Sequence, residues 1–319
     1  MKHSCKIDNI RAIAIITVVF GHSIILYSSS WNLYEPEISS VGLDYIKRFI
    51  NLYQMPLFFS VSGYLLAAKG DSYSFLPFIR KKGIRLLLPF LAVGILLMIP
   101  LKTALGYPAY ENISFFSSIK MLFTGRDSGH LWYLPTLFLI FVAAFWIIKG
   151  SGKISCILPV AFVGSVVLHY CRFYIPDFRI PYQYSALEHL WSVLFGAVIY
   201  SYKADHRLAR WKIAITAVTC LLCLIEILYN RTDIIVSALV VQCIYIWTSD
   251  CENKYLQIIS RDSFGIYLFH SPLIYITFTF ILNASPWVTV GVNFFVWGIL
   301  ALFATELIRK TRFKVLIGG

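Results

Sequence analysis

Long apolar runs broken by short polar or basic segments set the pattern of this 319-residue chain. No formally charged residue lies between Arg11 and Glu35, Arg48 and Lys69, Asp127 and Lys149, or Lys153 and Arg172. From Ser263 to Thr305 none occurs over the length of two such runs, which Asn283-Ala284-Ser285-Pro286 divides as a turn. A helix of about 20 apolar residues crosses a hydrocarbon core of about 30 Å, so each run reads as a membrane helix. Ten are expected, at Ile10–Tyr27, Asp44–Ala68, Gly83–Ala104, Leu131–Ile148, Ile154–Tyr174, Ser185–Tyr202, Trp211–Tyr229, Asp233–Ser249, Ser263–Leu282 and Pro286–Ile308. The expected fold class is all-α, a polytopic integral membrane protein with about ten transmembrane helices, forming one domain over 1–319 with no separate soluble domain.

Composition sharpens this. Hydrophobic residues make up 58% and charged residues 14% of the chain, with a mean hydropathy of +0.72. A soluble domain averages about 45–50% apolar and about 25% charged, so a cytosolic enzyme, a disordered regulator and a nucleic-acid-binding protein are all excluded. The net charge of +12 encodes orientation rather than a polyanionic partner. With both termini in the cytoplasm, 20 of the 28 Lys and Arg residues fall inside and 8 outside, as the positive-inside rule requires. The first run could pass for a signal peptide, but its polar residues argue that it is retained. Cys220 and Cys223 lie within an apolar run and read as small hydrophobes, so no metal site is expected.

Ionisable groups inside such runs are costly, which makes them functional candidates. Arg11 and His22 stand eleven residues apart, within about 20° of one helical face and about 16 Å apart along the axis. The guanidinium suits an anion arriving from the cytoplasm. The imidazole suits proton transfer, as a general base for a hydroxyl nucleophile. Asp8 is an i, i+3 neighbour of Arg11 and could pair with it or stay solvated. Arg80, Lys81, Lys82 and Arg85 place four cations at a cytoplasmic helix start, fitting a ligand with several phosphates or an orientation signal. In the ninth run Tyr267 and His270 share nearly one face, and Pro272 would loosen the helix so that polar backbone faces a cavity. Ser62 with Ser60 and Gly63 reads first as close helix packing. His130 and Trp132 belong at the outer surface, as do Glu188 and His189, which could touch an external substrate.

Taken together, these segments resemble the integral-membrane acyltransferase-3 family, which O-acylates bacterial surface glycans and related acceptors. Asp8-Asn9-Ile10-Arg11-Ala12 followed by His22 is similar to the family's Arg-x10-His motif, and Met55 to Leu65 to its second-helix signature. Lys81 to Pro89 resembles its basic motif, His130 to Leu134 its fourth-helix start, and Gly265 to Pro272 its late Tyr-His segment. The resemblance implies an acyl-CoA donor, usually acetyl-CoA, and a hydroxyl acceptor on a cell-surface or lipid-linked saccharide, in a bacterial inner membrane. It makes His22 the catalytic histidine with Arg11 and Arg85 assisting. Arg80, Lys81 and Lys82 would join Arg85 in holding the donor, while Asp8, Ser62, His130, Trp132, Tyr267 and His270 would bind substrate or support the site. Lys81 and Lys82 stand where the family often has Arg. His22 could deprotonate the acceptor or carry the acyl group itself. The expected partners are acyl-CoA, the saccharide acceptor and membrane lipids, with no nucleic acid; homo-oligomerisation stays open. The rival from another class is a transporter or flippase of a lipid-linked saccharide, against which the sequence offers no inverted repeat.

Overall fold

The computed structural model describes residues 5–28, 38–69, 74–150, 154–174, 182–229, 234–281 and 283–318. Among these residues the regular structure is helical throughout. In chain order the α-helices are α1 (Cys5–Ser23), α2 (Val41–Ala68), α3 (Phe75–Val93), α4 (Ile99–Ala104), α5 (Phe115–Thr124), α6 (Tyr133–Gly150) and α7 (Ile154–Tyr174). They continue as α8 (Gln183–Tyr202), α9 (Ala204–Leu208), α10 (Lys212–Leu228), α11 (Ile234–Trp247), α12 (Lys254–Phe280), α13 (Pro286–Gly291) and α14 (Trp297–Arg309). Gly94–Met98 joins α3 to α4 and Val292–Val296 joins α13 to α14 as single π-helical turns.

Each of the ten expected segments falls on helix. Among the described residues, five stretches are long and apolar enough to cross a membrane by length and composition: Phe75–Ala104, Gly129–Lys149, Ile154–Cys171, Ala204–Leu228 and Pro286–Arg309. Asp233 and Leu282, the ends of two expected segments, lie outside the described residues. Three departures have local causes. The first helix is shifted toward the amino terminus, where the Lys6 amide donates to Asp250 at 2.6 Å and the Asn9 side chain to the Cys251 carbonyl at 2.9 Å. The ninth begins early because the Asn253 side chain caps it, accepting from the Tyr255 and Leu256 amides at 3.0 and 3.1 Å. α5 is an added helix between two expected segments; Ser114 caps its start and Gly125, at φ +69°, closes its end.

The chain forms two compact units, one of residues 1–51, 88–131 and 250–319 and the other of 52–87 and 132–249. In the first, α12 packs on α1 and on α14. Gly265 makes the second contact close, since a Cβ there would run into the Thr305 side chain. Asp262, fully buried, takes Arg261 at 2.7 Å and also Arg309, and Arg261 pairs with Glu306. These pairs let charged residues sit inside a packed helix.

In the second unit, α8 packs on α6 and α7, and α10 on α11. α2 crosses α8 backbone to backbone: a Cβ on Gly63 would meet the Val193 carbonyl, and one on Gly196 the Ser60 carbonyl. Proline inside α2 removes a donor at Pro56, which leaves the Leu52 carbonyl without its i+4 partner. The Ser237 hydroxyl on α11 donates to that carbonyl instead.

Candidate active site

Three imidazoles meet in the first unit, and backbone carbonyls set the protonation of each. His22 stands in the last turn of α1. The helix stops there because the Ser23 hydroxyl turns back to the Val19 carbonyl at 2.7 Å and the Ser23 carbonyl takes the Asn293 amide at 3.2 Å. His22 Nδ1 donates to the Val18 carbonyl at 2.9 Å, and His270 Nδ1 to the Ile266 carbonyl at 2.9 Å. A carbonyl only accepts, so each neutral ring carries its proton on Nδ1 and a lone pair on Nε2. His270 Nε2 lies 3.3 Å from His22 Nδ1 and accepts a share of its hydrogen. The two rings meet edge to face at 5.1 Å. His270 is fully buried at 0% exposure, whereas His22 is half-buried. The arrangement thus backs the accessible imidazole with a buried one and leaves a lone pair on His22 Nε2.

The third ring depends on a proline. α12 runs unbroken through Pro272, contrary to the loosening expected there. The missing N–H instead frees the Leu268 carbonyl, four residues earlier, and His130 Nε2 donates to it at 3.2 Å. The Tyr267 hydroxyl returns a hydrogen bond to the His130 carbonyl. His130 lies 5.6 Å from the His270 ring and 5.2 Å from that of Tyr267, centroid to centroid. It is 5% exposed, so it is interior rather than at the surface. With its proton on Nε2 its Nδ1 is an acceptor, buried and without a hydrogen bond.

An ion pair holds the segment that delivers His130. Lys102 donates to both oxygens of Asp127 at 2.7 Å with its side chain 1% exposed. Its ammonium lies 4.5, 5.2 and 4.9 Å from the rings of Tyr107, Tyr110 and Tyr275. Burial, with the Asp127 carboxylate next, pushes the Tyr110 phenol above its ordinary pKa. Gly129 follows at φ +51°, a conformation in which a side chain would be strained, and a Cβ there would lie 2.8 Å from the end of the Met98 side chain.

The other sequence candidates divide between the units. Asp8 accepts from the Ser260 hydroxyl at 3.0 Å, tying α1 to α12, and Arg11 is half-buried on α1. In the second unit Ser62 donates to the Phe58 carbonyl at 3.1 Å and lies 3.4 Å from the Tyr133 hydroxyl. Trp132 and His189 are half-exposed and both pack on Phe59, at 6.3 and 4.9 Å. Glu188 is engaged by His169 at 3.0 Å. Arg80 and Lys81 are exposed, while Lys82 lies over the Phe141 ring at 3.8 Å and Arg85 is half-buried. Among the described residues no carboxylate pairs with any of these four.

Sequence reasoning passed over Lys102, Asp127 and Asn293, the last fully buried on a π-helical turn with its Oδ1 unbonded. An amide alone in the apolar run 286–305 was the available signal. No three His, Cys, Asp or Glu side chains among the described residues are arranged to hold a metal ion.

Helices long and apolar enough to cross a membrane and, within the first unit, a buried cluster of three imidazoles mark a helical membrane protein. A family model described as an acyltransferase domain matches residues 6–308, nearly the whole chain. The protein belongs to the acyltransferase-3 family and is a membrane acyltransferase. No curated protein and no solved structure matches it.

Proposed function

We propose that the protein transfers a short acyl group, acetyl in the simplest case, from cytoplasmic acyl-CoA to a hydroxyl of a cell-surface or lipid-linked saccharide in the bacterial inner membrane. The observation that carries the reading is the His22–His270 contact in a chain of this family. His22 Nε2 removes the acceptor's hydroxyl proton while the oxygen attacks the thioester carbonyl. The C–S bond breaks, CoA leaves as thiolate, and the proton on His22 passes to the sulfur. His270 supports the imidazolium through His22 Nδ1, in the way a general base is held in the right tautomer by a second group. The unbonded Nδ1 of His130 is an acceptor suited to orienting a hydroxyl or a water at the same cluster. Arg80, Lys81, Lys82 and Arg85 are proposed to hold the donor's phosphates, with the arginines offering a planar fork and the lysines a point charge.

The test is transfer of label from radiolabelled acetyl-CoA into glycan and glycolipid in membranes holding wild type or His22→Ala at equal protein level. Transfer that disappears in the variant supports the reading. Acetyl label trapped on His22 without acceptor would replace direct attack by a covalent route. No transfer from any short acyl-CoA, with saccharide export intact, would favour the transporter instead.

A further inference from the structure

At the carboxyl end of α8 a cavity of about 330 Å³ is lined by Tyr64, Ile199, Tyr200, Lys203, Asp205 and His206. It lies wholly within the second unit and takes no part in the imidazole cluster. Its size is at the lower end of small-molecule sites, about 300–1,000 Å³. Tyr64 and Tyr200 meet edge to face at 5.1 Å and form an aromatic corner. Asp205 is 7% exposed at the wall, with His206 Nε2 at 3.7 Å on the rim. Lys203 adopts the left-handed conformation, φ 49° and ψ 46°, at the turn where α8 ends. A glycine would hold that turn without strain, so a lysine there is retained at a conformational cost, as is common at functional sites.

These groups match a planar base with an exocyclic amine attached to phosphate. The rings offer a stacking surface, the carboxylate accepts from the amine, and the ammonium meets a phosphate. The basic cluster is reached along the same helix. Lys69, five residues beyond Tyr64, has its pKa lowered by burial and then by the charges of Lys81 and Arg85. About 7.5 Å of helix rise thus separates the aromatic corner from cations suited to a diphosphate. The Lys/Arg distribution assigns both ends to the cytoplasm.

We propose that the cavity of Tyr64, Tyr200, Lys203 and Asp205 binds the adenine nucleotide end of the acyl-CoA donor. This rests on the acyl-CoA reading above. The experiment compares acetyl-CoA with S-acetylpantetheine, which lacks the nucleotide, as donors for the full-length protein in membranes. Tyr200→Leu lowers the preference for acetyl-CoA over acetylpantetheine on the order of tenfold. Lys203→Gly lowers it in the same direction while the protein melts no lower, because the glycine relieves the left-handed turn. An unchanged preference in both variants, with wild type using acetyl-CoA, overturns the nucleotide site and leaves the acyl-CoA reading standing. A wild type that takes acyl from neither donor overturns that reading and the site with it.

Discussion

Among the prolines inside helices, Pro56 and Pro272 each free a backbone carbonyl that a side chain answers, and the two units answer differently. In the second unit Pro56 frees Leu52 and a serine hydroxyl on α11 fills the gap. In the first unit Pro272 frees Leu268 and an imidazole fills it. A serine can donate there, rotate and stay neutral at every accessible pH. A histidine that donates from Nε2 must present its other nitrogen as a lone pair, and His130 does so in a buried setting beside His270. The same repair is therefore structural in one place and chemical in the other.

The comparison breaks hardest at its support. Asp127→Ala leaves the Lys102 ammonium buried and unpaired and releases the turn before His130. Thermal unfolding in detergent is expected to show a loss of about 3–5 kcal/mol, most of it recovered by replacing both partners with apolar residues. Next comes His130→Ala, which leaves the Leu268 carbonyl unsatisfied at about 1–3 kcal/mol and lowers acyl transfer beyond what the stability loss explains. Ser237→Ala makes the matching cut at Leu52. It should cost about 1 kcal/mol in unfolding while transfer per folded molecule stays at the wild-type rate. The finest cut is Pro272→Ala, which restores an N–H to compete with His130 for Leu268. Stability should change by less than about 1 kcal/mol, yet transfer should fall, whereas Pro56→Ala should leave transfer alone. Equal effects of the two proline replacements on transfer would erase the distinction.

These features were not equally legible. The apolar runs carry their own period and length, so all ten expected segments fall on helix. His270, Tyr267 and Pro272 were visible as a group because they are neighbours in sequence. What joins them was not: the donor to Leu268 comes from a residue 138 positions away. Charge gave no local signal in two places. The partners of Arg261 and Asp262, Glu306 and Arg309, come from α14, more than forty residues on. Nothing near Lys102 in sequence announces the three tyrosine rings around its ammonium. Ser62 and Gly63, by contrast, were read from composition as close packing, and the α2–α8 crossing uses Gly63 in that way.

The π-helical turn at Val292–Val296 has a consequence for the gene as well as the fold. Its wider i→i+5 ring holds one residue more than an α turn of the same rise. Deleting a single codon there would be absorbed as an ordinary α turn and would leave α14 in phase, whereas deleting one inside α14 before Thr305 would turn the rest of that helix by about 100° against α12. Only the second deletion would swing Thr305 away from Gly265 and Arg309 away from Asp262, two contacts 40 and 47 residues apart in sequence.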